Sequence, residues 1–337
     1  MTRAGRLERL DEVQRQRPAL GFPLAVAYKF ADDRGPHLAA LMSYYGFVSL
    51  FPLLLLATSV LGFVLEGDPA LQQRLLDSAL SDFPLLPRQL TDDVSGFQGS
   101  GVALVVGVLG TLYGALGVMQ AAQAALNRIY AVPRNAQPNP LTSRLRSLLL
   151  VLTLGFGAIA GTALSALVPR VAGMVPALGA VAPVATVLVN FAVNTGVFVV
   201  AFQALIARRL QWRDVLVGAL VAAVLWQLLQ TVGVSYFSSY LDRQSDAYGV
   251  FGVVLGLLVW IYLLALVVVI AAEINVVRQH RLFPRALLTP FTDDVRLTQQ
   301  DVRAYTSYAR SERYKGFERV QASFERPTGE ADDARRE

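Results

Sequence analysis

The sequence predicts an all-α, polytopic membrane protein with six transmembrane helices and both termini cytoplasmic. Three observations predict it. Only 16% of the 337 residues are charged, against about 25% in an ordinary soluble domain. The charges are also unevenly placed: six long runs carry none, and each can supply the roughly 20 helical residues that cross a bilayer. Finally, basic residues in the gaps between runs alternate between rich and poor. Seventeen Arg and Lys fall on one predicted side and four on the other. Basic loops stay in the cytoplasm, so the count of spans is even.

Residues 1–34 form a cytoplasmic or interfacial segment with seven basic residues and no apolar stretch resembling a cleavable signal. Residues 5–30 suit an interfacial helix with Leu7, Leu10, Leu24 and Tyr28 toward lipid, interrupted by Pro18 and Pro23. Residues 35–277 form the transmembrane domain. Its first run, Gly35–Leu65, holds 31 uncharged residues. Pro52 would cost a soluble helix about 3 kcal/mol, whereas a membrane bundle tolerates the kink when neighbours satisfy the freed carbonyl. Ser43, Tyr44 and Ser49 are expected to face other helices, with an interfacial belt as the plainer reading of Tyr44 and Tyr45. The external loop, 66–96, repeats Leu71, Leu75, Leu76 and Leu80 at helical spacing. It predicts a short amphipathic helix, either a cap on the bundle or a lid over a cavity.

The second run, Val94–Asn127, places Gly107, Gly110, Gly114 and Gly117 three and four apart, on one face. A face without side chains admits another helix closely. The third run, Ser147–Pro169, repeats this with Gly157 and Gly161. The fourth, 171–207, is too long for one span, and Pro176 and Pro183 divide it, so the crossing starts near Pro183. Asn190 and Asn194 then lie one turn apart inside the membrane. Unpartnered amides are unfavourable in lipid, so they should face the interior, as glue between helices or as substrate contacts. The fifth run is Val215–Leu241. The sixth, Ala247–Ala272, has Gly252 and Gly256 as packing positions and ends at Glu273 and Asn275. A carboxylate there needs a cationic partner, and Arg128 at the end of the second run is the expected one. The pair reads as either a wet headgroup contact or a latch. Residues 278–337 form a polar cytoplasmic tail with a modest helix over Val295–Ala309 and a disordered end.

Composition also excludes functions. There is no cysteine, and His37 and His280 are too few for a histidine-built metal site. "GVLGTLYG" at 107–114 lacks the lysine of a phosphate-binding loop. No cofactor and no enzymatic activity are expected, and a nuclease would need acids or histidines over a phosphate that this chain does not offer. The net charge of +5 follows from the cytoplasmic loops and does not imply nucleic acid.

Four stretches carry a resemblance: "LMSYYGFVSLFPLLLL" at 41–56, "GVMQAAQAALNRIYAV" at 117–132, "RDVLVGALVAAVLWQ" at 213–227 and "YGVFGVVLGLLVWIYLLALVVVIAAEIN" at 248–275. Together they resemble the YihY family, also called the BrkB virulence-factor family, over roughly Ala25–Arg285. The matching positions include Tyr45, Ser49, Pro52, Asn127, Arg128, Gly218, Trp260, Glu273 and Asn275. The chain departs from the family's pattern at Ala272, where a glycine is common, and at "IARRLQW" before the fourth loop. The resemblance implies a bacterial inner-membrane protein of six helices with both ends inside, and an old ribonuclease label regarded as a misassignment. It brings no catalytic residues.

The expected function is transport or flipping of a lipid-like or amphiphilic anionic solute. Tyr45, Asn190 and Asn194 are the candidate path, and Arg128, Glu273 and Asn275 the candidate gate. The alternative is a noncatalytic envelope assembly factor. A channel fits less well, because only the fourth run is clearly polar. The bilayer is the one partner the composition demands.

Overall fold

The computed structural model describes residues 11–12, 14–64, 101–139, 141–151, 155, 182–241, 249–292 and 295–324. Seven helices are delimited among them: α1 (Pro18–Asp32), α2 (Gly35–Val64), α3 (Gly101–Ile129), α4 (Ala182–Leu205), α5 (Trp212–Leu241), α6 (Gly249–Gln279) and α7 (Gln299–Ser311). Residues 141–151 are helical as well, and no strand occurs among the described residues. Five helices, α2 to α6, are long and apolar enough to cross a membrane. They coincide with five of the six uncharged runs. The third run lies mostly outside the described residues, as do the loop helix expected within 66–96, Gly157, Gly161 and the end of the tail.

Burial is inverted relative to a soluble protein. Val187 and Leu188 on α4 are 60% and 61% exposed, and Leu109, Leu228 and Phe251 also point outward. Such a continuous apolar exterior is stable only against hydrocarbon. The all-helical, multi-pass membrane class read from the sequence therefore holds.

Helix α6 is the hub and touches α1, α2, α3 and α5. Its neighbours are positioned by small residues. Along the α2–α3 seam a Cβ built on Gly107 would lie 2.8 Å from the Leu56 backbone nitrogen, and one on Gly110 would lie 2.7 Å from Pro52 Cβ. Gly114 abuts Ser49 and Gly117 abuts the Tyr45 ring. The α2 numbers fall as the α3 numbers rise, so the two helices are antiparallel. Pro52 stays inside an unbroken α2. The same logic pairs α5 with α6: Gly218 meets the Ala271 carbonyl and Asn275, and Gly233 meets the Trp260 ring.

These directions bring the polar helix ends together. Lys29 Nζ donates to the Ile129 carbonyl at 2.9 Å, the Ala207 N–H donates to Asn127 Oδ1 at 2.8 Å, and Arg146 donates to the Ile206 carbonyl at 3.1 Å. The arginine-rich segments near 29–34, 128–146, 206–214 and 278–285 therefore share one end of the bundle. The chain turns sharply there, with Arg34, Ala131 and Arg281 at φ of 58°, 47° and 50°. The Val132 N–H returns to the Asn127 carbonyl and the Leu282 N–H to that of Val277, which caps α3 and α6 in the left-handed manner usually given to glycine.

Four sequence expectations are corrected here. Helix α1 passes through Pro23 without interruption, and Tyr28 does not face lipid: its hydroxyl donates to the Leu287 carbonyl. Tyr44 does not face another helix; it is 59% exposed, while neighbouring Ser43 is buried. The cause is the angular step of about 100° per residue, which sends adjacent side chains to different faces. The tail helix expected over Val295–Ala309 runs Gln299–Ser311 instead. It starts at Thr298, whose hydroxyl accepts from the Asp301 N–H while the Asp301 carboxylate accepts from the Thr298 N–H. This reciprocal capping fixes the first turn.

Candidate functional site

The shared polar end contains two buried charge clusters. The first joins α1 to α6. Lys29 and Asp33 are four residues apart and form an ion pair. Glu273 lies beside them, its Oε2 3.5 Å from Lys29 Nζ. Lys29 is 1% exposed, Asp33 3% and Glu273 0%. Neither Glu273 oxygen has a hydrogen-bond partner among the described residues. Burial raises the Asp33 carboxyl above the usual carboxylate range, against the pull of Lys29 and a weaker pull from Arg128. Two carboxyls thus share one ammonium in a water-poor setting.

The second cluster ties the tail to the bundle. Arg285 is buried. Its Nε donates to Asp301 on α7 at 2.7 Å, and its Nη1 donates to Asp32 at the end of α1 at 2.8 Å. Burial alone would lower the guanidinium's proton affinity, but Asp301 and Asp32 outweigh it and raise that affinity above the ordinary value. Asp301 also accepts from the Ala286 N–H. Arg285 is thus the meeting point of the amino-terminal helix, the strap after α6 and the tail helix.

The expected partner of Glu273 is therefore corrected: Lys29 occupies that place. Arg128 is exposed, one position along from buried Asn127, and forms no ion pair with Glu273 among the described residues. Asn275 is buried in the α5–α6 contact; its Oδ1 accepts from the Gly218 N–H at 2.7 Å and its Nδ2 donates to the Val215 carbonyl at 3.2 Å. Asn190 and Asn194 are half-buried on α4, and Tyr45 is half-buried against Gly117. Gly252 and Gly256 are half-buried on α6. The six candidate path and gate residues thus do not converge: Glu273 and Asn275 sit at the polar end, while Tyr45 and the α4 asparagines lie farther along the spans. No group of three His, Asp or Glu suited to a metal occurs among the described residues.

Sequence reading missed Lys29, Asp33, Arg285 and Asp301 as a structured site. Two local signals were available. Lys29 and Asp33 stand at the helical i, i+4 spacing, and Lys29 is one of only two lysines in the chain. "TQQD" at 298–301 has the spacing of a capping box.

The sequence pattern described as Virulence factor BrkB matches residues 26–293, most of the chain and all of the helices from α2 to α6. The chain belongs to the BrkB family. Relatives include a UPF0761 membrane protein of Alkalilimnicola ehrlichii, 27% identical over 79% of this chain and 60% of the relative. The Inner membrane protein YhjD of Escherichia coli is 24% identical over 76% of this chain and 80% of the relative. The Bacillus subtilis protein named Putative ribonuclease-like protein YfkH is 25% identical over 75% of this chain and 93% of that protein. The chain spans about three fifths of the UPF0761 relatives. No solved structure matches it. Family membership and the apolar helices make this BrkB-family chain a multi-pass bacterial inner-membrane protein.

Proposed function

We propose that the chain translocates an anionic, lipid-like or amphiphilic solute across the inner membrane. One observation carries this reading: the fully buried Glu273, near the end of a spanning helix, shares a single lysine with Asp33 and lacks a hydrogen-bond donor among the described residues. An ionisable group at such a place is costly unless it is used. A proton shared between Asp33 and Glu273 neutralises the cluster; its release leaves one uncompensated negative charge between α1 and α6. That gives a two-state element able to respond to a passing anion. Asn190, Asn194 and Tyr45 are the polar groups offered along the path.

The topology in this reading has six spans with both termini cytoplasmic. Helix α3 ends at the arginine-rich end and α4 begins at the opposite end, which supports the third uncharged run as the sixth span of this reading. The arrangement of domains is then 1–34, 35–277 and 278–337, with Arg285 holding the first and last together.

The test is flux of labelled anionic lipid in proteoliposomes of the purified protein, with Glu273→Gln and Asn190→Ala beside wild type. Wild-type flux that falls at least about tenfold in Glu273→Gln is expected. Folded protein with no flux for any labelled anionic amphiphile moves the assignment to a noncatalytic envelope assembly factor. That second reading is favoured by the α2–α3 glycine seam, which is packed too closely to leave a path there.

A further inference from the structure

A cavity of ≈ 520 Å³ opens at the arginine-rich end, beneath α7. Its size falls within the range of small-molecule sites, roughly 300–1,000 Å³. Five nitrogen-bearing side chains line it: Lys29 from α1, Arg208 from the α4–α5 turn, His280 just beyond α6, and Arg303 and Arg310 from α7. Thr306 stands between the last two, and the spacing of these three residues puts them on one helical face. No aspartate or glutamate lines the cavity.

Three of the charges are not spoken for elsewhere among the described residues. Among the described residues Arg208, Arg303 and Arg310 form no ion pair, whereas Arg15, Arg134 and Arg285 each do. Lys29 is already bonded to Asp33 and to a carbonyl, so it closes the floor of the cavity. Burial first, then Arg208 and Lys29, lower the proton affinity of His280 below the ordinary imidazole range. A general preference for basic loops on this side accounts for arginines being present. It does not account for three that form no ion pair among the described residues, one from the α4–α5 turn and two from α7, converging on one cavity.

We propose that this cavity binds a phosphate-bearing organic anion, either the headgroup of an anionic lipid or a free phosphorylated solute. Guanidinium forks match phosphate oxygens in pairs, and the Thr306 hydroxyl can supply a further donor. Apolar Ile129 and Val276 form part of the wall, so the occupant has a nonpolar portion beside its phosphate. The site names the chemistry of the solute in the reading above, and it stands without translocation.

The experiment uses the full chain in two arms. In nanodiscs of neutral phosphatidylcholine it is titrated with glycerol 3-phosphate, with glycerol as control. In parallel, native mass spectrometry counts phosphatidylglycerol retained from mixed phosphatidylcholine and phosphatidylglycerol discs. Saturable binding is expected in at least one arm, and the arm that shows it identifies the source. Combined Arg208→Gln, Arg303→Gln and Arg310→Gln substitution should weaken it roughly tenfold or more. If that variant does not fold, Thr306→Glu, which adds a negative charge to the cavity, is read in the same way. Absence of saturable binding by wild type in both arms, or equal binding by a folded variant, overturns the assignment. Binding without flux sinks the transport reading and leaves this site standing; flux with no saturable binding in either arm does the reverse.

Discussion

The middle of the bundle and its arginine-rich end are built on opposite principles. Along the α2–α3 seam, four glycines of one helix receive backbone and side chains of the other, and no ion pair is needed. Contact there is a matter of shape, because lipid offers no hydrophobic drive to push helices together. At the other region, Lys29, Asp33, Glu273, Arg285 and Asp301 are buried near element ends, and Asp32 is partly buried. Cohesion there depends on charge pairing. The difference teaches where each kind of damage should be tolerated: the seam resists loss of polarity but not added volume, and the charged end resists small changes of volume but not loss of a partner.

The largest effect is expected from breaking the charged end. Arg285→Met leaves buried Asp301 and partly exposed Asp32 without their common partner, a loss on the order of 3 kcal/mol. Limited proteolysis should then cut near α7 while α2 to α6 stay protected in detergent. Resistance of the tail equal to wild type would show that the Arg285 contacts do not hold it.

A smaller effect is expected from filling the seam. Gly114→Ala drives a methyl into Ser49 and should cost about 1–3 kcal/mol, seen as a lower melting temperature in detergent. Gly196→Ala on α4 meets nothing within 4 Å and should be neutral or gain up to about 1 kcal/mol from helix propensity. Equal responses from the two would remove the close approach of α2 and α3 as their cause.

The smallest effect concerns the rim of the charged end. Burial raises the Asp11 carboxyl, but the Leu287 N–H at 2.8 Å and Arg15 outweigh it and hold it below the usual carboxylate range. A lowered folded value means that the contribution is present above the ordinary carboxylate value and lost as pH falls through the folded one. With Asp11 and Arg15 partly exposed, the change should stay below about 1 kcal/mol. It should appear as faster proteolysis of the first helical residues on acidification, absent in Asp11→Asn.

The spans were legible because hydrocarbon imposes a rule that can be read one residue at a time: no charge for some twenty positions. Glu273 was legible for the same reason, as the first charge after such a run. Its partner was not, because the choice between Arg128 and Lys29 depends on the face each presents after the chain folds, and Asn127 rather than Arg128 faces inward. Arg285 was harder still. In the sequence it is one more basic residue in a polar tail, and its burial exists only once Asp32 and Asp301 arrive from the two ends of the chain. Composition reads that tail as solvated, while three-dimensional charge pairing makes part of it interior.

Arg285 also bears on the order of biosynthesis. Asp32 emerges from the ribosome before α2 and Asp301 after α6. A nascent chain can insert its greasy segments one by one, yet the guanidinium acquires its second carboxylate only when α7 has been released. Formation of this contact thereby waits for α7, and a chain halted after residue 292 would carry the spanning helices α2 to α6 without it.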